Sequence, residues 1–242
     1  MKPFLLLSTR PEDEAVMGER EAILRFSGLA EQDLVQYRVE RESLPPIDLG
    51  DFSGILLGGG PFNSSDRVKS GLQLRVEADL APVVAAVVAR DFPFLGLCYG
   101  IGALTANLGG QVDRTFGEAV GVVDVTLTDE GRADALFDGV PGVVRAFVGH
   151  KEACTVLPPG AVLLATGADC PVQAFRVGRN IYATQFHPDL DGPGLARRID
   201  IYQEAGYFPP AETDELMRMA LAAPLSPEVH LLVRNFVERA AS

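Results

Sequence analysis

The chain has 242 residues, of which 47% are hydrophobic and 22% are charged. This length and composition are typical of a globular protein with one large α/β domain or two small ones. The formal net charge of −12 disfavours nucleic acids and anionic membranes, so we expect neither as a partner.

Two features of the sequence bear on where the protein works. Its first residues, "MKPFLLLSTRPEDE", contain an apolar run too short for a secretory signal, and no apolar run of about 18 residues predicts a membrane helix. The three cysteines are an odd and sparse set, which does not indicate a disulfide framework. We therefore expect a cytoplasmic protein in a reducing compartment.

The first half of the chain alternates short apolar runs with helical patterns. Strands are predicted at residues 4–8, 53–59 and 92–98, and each is followed by a helical pattern. The second of these helices is expected to be interrupted at Pro82. Such alternation is typical of an α/β fold with a parallel sheet, so we expect a three-layer sandwich with a mostly parallel central sheet.

The second half has a different character. Residues 121–187 contain five short strand patterns, the last two joined by the tight turn "GRN", which indicates a partly antiparallel region. Helical patterns then return, and near the C-terminus five apolar residues share one helical face: Val229, Leu232, Val233, Phe236 and Val237. We expect a single domain, 1–242, with a core of 1–190 and a helical extension of 191–242.

The segment Gly96-Leu97-Cys98-Tyr99-Gly100 follows the third strand pattern and has the form G-x-C-x-G. This pattern is typical of a nucleophile on a sharp turn between a strand and a helix, where flanking glycines avoid a steric clash. The N-terminus of the following helix favours the thiolate, and the Tyr99 N–H can face a developing oxyanion. The alternative is a structural cysteine in a glycine-rich turn.

A thiolate nucleophile needs a base, and the chain has three histidines. His187 ends a strand pattern and Asp189 follows two residues later, so both side chains point the same way in extended chain. The carboxylate can then hold the imidazole in its working tautomer. A capped turn is the alternative for this motif. We interpret His150 and His230 as structural or exposed residues, with a position at the rim of the site as the alternative for His150.

The segment "LLGGGPFNSSD", residues 56–66, places a glycine run after a strand. Such a run can supply N–H groups to phosphate or to an oxyanion, but the lysine of a phosphate-binding loop is missing. We favour an oxyanion loop serving Cys98, with a simple turn as the alternative. Cys154 and Cys170 lack flanking glycines and are interpreted as core residues. The candidate ligands do not cluster at metal spacing, so no metal or other cofactor is expected.

These motifs together resemble the class I glutamine amidotransferases, and in particular the amidotransferase domain of GMP synthase and its stand-alone relatives. The likeness is carried by the glycine-flanked cysteine, the "GGGP" loop and the segment "GHKEACTVLPPGAVLLATGADCPVQAFRVGRNIYATQFHPD", and it extends over about residues 4–190. The resemblance implies a flavodoxin-like fold and L-glutamine as substrate. It also implies ammonia transfer to an acceptor on a synthetase partner.

The resemblance further implies a role for each site residue. Cys98 attacks the side-chain amide of glutamine, His187 protonates the departing ammonia, and a γ-glutamyl thioester forms and is hydrolysed. The oxyanion-binding and substrate-binding positions correspond to Gly59, Gly60 and Tyr99.

The sequence departs from the family pattern in three ways. Asp189 stands where the family usually has Glu, so either Asp189 or Asp191 completes the triad. The family's Gln that helps hold glutamine is absent, because Ile101 and Gly102 occupy that region. No synthetase motif is present, so we do not expect GMP synthesis by this chain alone. Two alternatives to glutamine hydrolysis therefore remain, hydrolysis of another γ-glutamyl amide and a non-catalytic binding or regulatory subunit.

Overall fold

The computed structural model describes residues 2–241, within which the chain forms eleven strands and seven α-helices. The strands are β1 Phe4–Ser8, β2 Leu34–Arg38, β3 Gly54–Leu57, β4 Phe94–Leu97, β5 Gln111–Asp113, β6 Glu118–Leu127, β7 Val143–His150, β8 Ala153–Val156, β9 Val162–Thr166, β10 Ala174–Val177 and β11 Ile181–Thr184. The helices are α1 Asp13–Ser27, α2 Gly71–Arg90, α3 Tyr99–Asn107, α4 Asp129–Ala133, α5 Gly192–Ile201, α6 Thr213–Ala222 and α7 Leu231–Ala240.

Nine of these strands form the central sheet, in the order β2-β1-β3-β4-β11-β10-β9-β6-β7. The strands from β2 to β11 pair in parallel, and those from β11 to β7 pair in antiparallel fashion. The predicted α/β class is confirmed, and the antiparallel half corresponds to the strand-rich segment 121–187. The remaining two strands, β5 and β8, form a separate ribbon.

The two faces of the sheet are each covered by helices, which gives three layers. Because side chains alternate along a strand, Phe4 and Leu6 of β1 pack into one apolar core with residues of α1 and α7. Leu5 and Leu7 pack into a second core on the opposite face, with residues of α2 and α3. Both cores run through β3 and β4, so these strands are apolar on both faces, as is typical of parallel sheets.

The helical segment after β11 contributes to the packing of the sheet. The apolar face predicted near the C-terminus is confirmed, since all five of its residues are buried and pack into the first core, with Phe236 against Phe4. Leu195 and Ile199 of α5 form a third cluster with Ala220 of α6 and Phe147 of β7. None of the helices between residues 2 and 241 combines the length and apolarity needed to span a bilayer.

Two sequence predictions differ from the structure. Helix α2 continues through Pro82 instead of being interrupted there. Pro82 lies on an exposed face, as does Ala78 one turn earlier, so the carbonyl that loses its partner can bond to water. The edge strand β2 was not predicted, because its only fully buried residue is Leu34 and the segment lacks a clear apolar pattern.

Candidate active site

Cys98 occupies the turn between β4 and α3 in a backbone conformation that is unusual for a residue with a side chain. Its φ and ψ angles are 52° and −94°, and left-handed φ values are strained outside glycine. The Cys98 N–H donates to the Thr184 carbonyl of the neighbouring strand at 2.8 Å, which fixes the turn to the sheet. The thiol is partly exposed at this edge, whereas Cys154 and Cys170 are buried.

The glycines on both sides of Cys98 are required by close backbone approaches. A Cβ at Gly96 would lie 2.9 Å from the carbonyl carbon of Gly100, and one at Gly100 would lie 3.0 Å from the Leu57 carbonyl oxygen. The turn therefore closes only because both positions lack a side chain. This is the steric reason on which the prediction of a nucleophile turn was based.

His187 lies beside the predicted nucleophile and contacts the predicted acid. It lines the same cavity as Cys98, the charges of the two groups interact, and its Nδ1 donates to Asp189 Oδ1 at 3.0 Å. The His187 N–H also bonds to the Phe147 carbonyl at 2.9 Å, which anchors this segment to β7. Because Nδ1 faces the carboxylate, Nε2 is the ring nitrogen left for the sulfur.

Asp189 is fully buried and is held by a second partner that the sequence motif did not reveal. Arg198 of α5 donates from Nη2 to Asp189 Oδ2 at 2.9 Å, and its Nη1 lies 3.4 Å from His187 Nδ1. Asp191, the alternative acid, caps α5 through the Gly194 N–H and pairs with Arg25. Of the two candidates, Asp189 is therefore the one in contact with His187.

The charges of this group favour an ion pair between sulfur and imidazole. Burial opposes the thiolate, but nearby positive charges, of which His187 has the largest effect, outweigh burial and lower the pKa of the Cys98 thiol. Burial also opposes the imidazolium, yet Asp189 and Cys98 raise the pKa of His187 to about 9. Burial likewise opposes ionisation of Asp189, but Arg198 and His187 hold its pKa well below the usual range.

The predicted oxyanion loop follows β3 and lies beside the thiol. Gly60 lines the cavities that meet at Cys98, together with Tyr99 on one side. A Cβ at Gly59 would lie 2.5 Å from an Arg10 nitrogen and 3.2 Å from His187 Cε1, so the loop can approach the imidazole only without a side chain. Gly59 itself accepts from the Thr9 hydroxyl at 3.2 Å.

Two further polar residues at this edge were missed by sequence reasoning. Gln185 Nε2 lies 4.0 Å from Cys98 Sγ, and its Oε1 is buried without a hydrogen-bond partner in the described chain. Arg10, just after β1, is buried and paired with Glu19 of α1 at 3.5 Å. The sequence indicated them only by position. Both residues lie within two positions of the carboxyl end of a parallel strand, where α/β sheets place their sites.

Two cavities meet at Cys98, Gly60, Gly149 and Tyr207, which line both of them. The apolar cavity also contacts His187, and its walls are Val120, Val148, Leu190, Leu195, Ile199 and Phe208. The polar cavity also contacts Tyr99, and its walls include Asn63, Ile101, Gly102, His150, Lys151, Glu152 and Gln185.

Glu152 shapes the polar cavity where the family's Gln is missing. Its two carboxylate oxygens accept from the Ser64 and Ser65 N–H groups at 2.6 and 2.8 Å. A Cβ at Gly102 would lie 3.0 Å from the Ser64 hydroxyl and 3.2 Å from Glu152 Oε1. The space that a side chain at position 102 would take is therefore already occupied by the carboxylate and the loop that it holds.

A second group of potential ligands lies near the polar cavity. The ligand atoms of Glu118, His150 and Cys170 are within 4.8 Å of one another, so the expectation that such residues do not cluster was wrong in space. Residues distant in sequence meet because β6 and β7 are paired. His150 Nε2 bonds to Glu118 Oε2 at 2.8 Å, and the Cys170 thiol lies 3.5 Å from the Val172 carbonyl. The His150 ring nitrogen and the Cys170 thiol are thus already engaged by protein oxygens.

Comparison with known proteins identifies the family. The sequence model of the glutamine amidotransferase class-I family matches residues 22–193. The GMP synthase [glutamine-hydrolyzing] of Enterococcus faecalis is 26% identical over 159 residues, which are 65% of this chain and 27% of that protein. The GMP synthase [glutamine-hydrolyzing] of Bordetella avium is 39% identical over 114 residues, 45% of this chain and 22% of that protein. The chain thus spans about a quarter of the length of these curated relatives.

Solved structures agree on the fold. A glutamine amidotransferase from Thermotoga maritima superposes with a TM-score of 0.80 at 20% identity, covering 100% of this chain and 99% of that one. A glutamine amido transferase from Methylobacillus flagellatus superposes with a TM-score of 0.71 at 20% identity, covering 100% and 93%. Since the family match extends over more than half of the sequence, this chain belongs to the class I glutamine amidotransferase family.

Proposed function

We propose that the protein is a cysteine-dependent amidohydrolase that releases ammonia from L-glutamine through a γ-glutamyl thioester. The observation that carries this proposal is the position of His187, which lines the same cavity as Cys98 and directs Nδ1 to Asp189. A nucleophile, a base and an orienting carboxylate in this arrangement are the elements of nucleophilic amide hydrolysis.

The reaction begins with attack of the Cys98 thiolate on the side-chain amide carbonyl. The main-chain N–H groups of Gly60 and Tyr99 stabilise the oxyanion, and the His187 imidazolium gives its proton to the departing ammonia. The neutral imidazole then takes a proton from water as the water attacks the thioester, which releases glutamate. Asp189 holds the ring in the required tautomer in both steps.

The polar cavity is suited to the amino-acid end of the substrate. Lys151 and Glu152 place one positive and one negative side chain in its wall, which matches the α-carboxylate and α-ammonium groups of glutamine. Both lie on the side of Cys98 that also presents Tyr99, so the amide carbonyl can face the oxyanion-binding N–H while the zwitterion lies further in.

We further propose that the released ammonia passes to a synthetase partner in the cytoplasm. The names of the curated relatives, GMP synthase [glutamine-hydrolyzing], support a synthetase as the acceptor. The three free cysteines support a reducing compartment.

Trapping of the thioester tests the proposed reaction. Purified protein is incubated with L-glutamine and hydroxylamine, and glutamate, ammonia and γ-glutamyl hydroxamate are quantified beside Cys98→Ala. We expect all three products from the wild type and none from the variant. Absence of every product from a wild type whose Cys98 is still alkylated by iodoacetamide would contradict glutamine as the substrate.

A further inference from the structure

We propose that the enzyme also accepts, and prefers, γ-glutamyl amides whose nitrogen carries a neutral apolar substituent, which binds in the apolar cavity. This inference rests on the proposed function, because it uses the same nucleophile and the same thioester. It names the leaving group as the part of the substrate that this chain selects.

The position of His187 decides which cavity receives the leaving group. A general acid must lie beside the nitrogen that it protonates. His187 lines the apolar cavity, whereas Tyr99, which presents the oxyanion N–H, lines the polar cavity. With the carbonyl carbon at Cys98, the γ-glutamyl group therefore extends into the polar cavity and the nitrogen substituent into the apolar one.

The apolar cavity is larger than ammonia requires. Its volume is about 60 Å³, against about 20 Å³ for the polar cavity, whereas a single molecule of the size of water needs only about 10–15 Å³. Its walls are the aliphatic and aromatic side chains of Val120, Val148, Leu190, Leu195, Ile199 and Phe208. Ammonia gains nothing from such walls, whereas a buried alkyl chain gains about fourfold in binding with each methylene.

The charged residues of this cavity favour a neutral substituent. Arg10 and Arg198 also line the cavity. Each is already paired with a buried carboxylate, Arg10 with Glu19 at 3.5 Å and Arg198 with Asp189 at 2.9 Å. Both guanidinium groups are thus already engaged by side chains of the protein. Tyr202 also lines the cavity, but its hydroxyl accepts from Arg10 and donates to Glu12. Apart from Tyr202 and Tyr207, the remaining side-chain walls offer apolar contact.

The chemistry of the step is balanced without any additional reactant. The Cys98 thiolate forms the C–S bond as the C–N bond breaks, and His187 gives its proton to the departing primary amine. Water then attacks the thioester, and the products are glutamate and the free amine. The net reaction is hydrolysis of a secondary amide.

The test compares L-glutamine with its side-chain N-ethyl and N-isoamyl derivatives as substrates, with glutamate release as the readout. We expect kcat/KM to rise along this series and to be about tenfold or more higher for the N-isoamyl amide than for glutamine. The substitution Val120→Phe narrows the cavity and should lower that ratio about tenfold. The matched control Val143→Phe lies on an exposed part of β7 and should leave the ratio unchanged.

The possible outcomes separate this inference from the proposed function. Hydrolysis of glutamine with no acceptance of either alkyl amide would overturn the inference and leave the proposed function standing. A ratio that Val120→Phe does not change would also overturn it, because the cavity would not be the binding site of the substituent. Hydrolysis of the alkyl amides alone would support the inference and contradict glutamine as substrate. If no amide releases glutamate, both are wrong.

Discussion

Within residues 2–241, two groups each bring together a cysteine, a histidine and an acidic residue, and they differ in exposure, hydrogen bonding and thiol pKa. In the first, Cys98 is partly exposed, and the charge of the neighbouring His187 lowers the pKa of its thiol. In the second, Cys170 is buried, and burial raises the pKa of its thiol to about 12. The same residue types therefore yield opposite thiol chemistry.

The difference arises from which atoms the backbone allows to meet. The left-handed turn at Cys98 presents the sulfur to the His187 ring, whose other nitrogen is occupied by Asp189. His150 instead directs Nδ1 to the Glu152 carbonyl and Nε2 to Glu118, so no ring nitrogen is left for Cys170. Residue composition alone does not make a nucleophile; the geometry of the hydrogen bonds does.

Replacing each cysteine gives the largest expected contrast. Cys98→Ala should lower glutamate release at least about 10³-fold, because no other group can form the thioester. Cys170→Ala should change turnover less than about threefold and cost on the order of 1 kcal/mol of stability for the lost buried sulfur. Glutamate release and urea unfolding measure the two effects. Equal losses of activity in two folded variants would refute the contrast.

Replacing the two acidic partners gives the next largest contrast. Asp189→Asn should lower kcat on the order of 10²–10⁴-fold, since a neutral amide no longer stabilises the imidazolium. Glu118→Gln should leave kcat within about threefold but cost roughly 1–3 kcal/mol, because it weakens buried hydrogen bonds to His150 and Gln173. Steady-state kinetics beside denaturant unfolding distinguish the two. Wild-type kcat in Asp189→Asn would contradict the role of Asp189 in orienting and stabilising His187.

Replacing the two histidines should move the titration of Cys98 by different amounts. The rate of iodoacetamide alkylation as a function of pH reports the thiolate fraction. His187→Ala should shift the midpoint upward, because burial then opposes the thiolate without the adjacent imidazolium. His150→Gln removes a group with a smaller electrostatic effect on Cys98, so its upward shift should be smaller. A larger shift for His150→Gln would reverse the assignment of the two groups.

The smallest expected effect concerns the acid that does not contact His187. Asp191→Ala removes the N-cap of α5 and the pair with Arg25, and should cost about 1 kcal/mol of stability. Its glutamate release should stay within about threefold of the wild type. Thermal or urea unfolding with parallel kinetics provides the measurement, and a loss of activity comparable with that of Asp189→Asn would show that Asp191 has a catalytic role.

Local patterns in the sequence predicted the fold class and brought together the residues proposed to react. The turn at Cys98 and the His-Pro-Asp segment are each encoded within a few residues, so their geometry follows from glycine positions and strand ends. Gln185 contributes through a contact with Cys98, which is distant in sequence. Arg198 and Arg10 contact Asp189 and Glu19, which are nine positions away on the other side of a helix boundary, and no local pattern indicates these contacts. The same reason explains why the group of Glu118, His150 and Cys170 was not anticipated. The division into a core of 1–190 and an extension of 191–242 stays a prediction.

Of the three cysteines, we expect Cys98 alone to be activated by its histidine for attack on a γ-glutamyl amide. A glutamine analogue that carries a chloromethyl ketone in place of the side-chain amide, followed by peptide mapping of the labelled protein, tests this expectation. We expect a stoichiometric adduct on Cys98, suppressed by His187→Ala, with Cys154 and Cys170 unmodified. An adduct distributed over all three cysteines, or a Cys98 that stays unlabelled in folded protein, would contradict it.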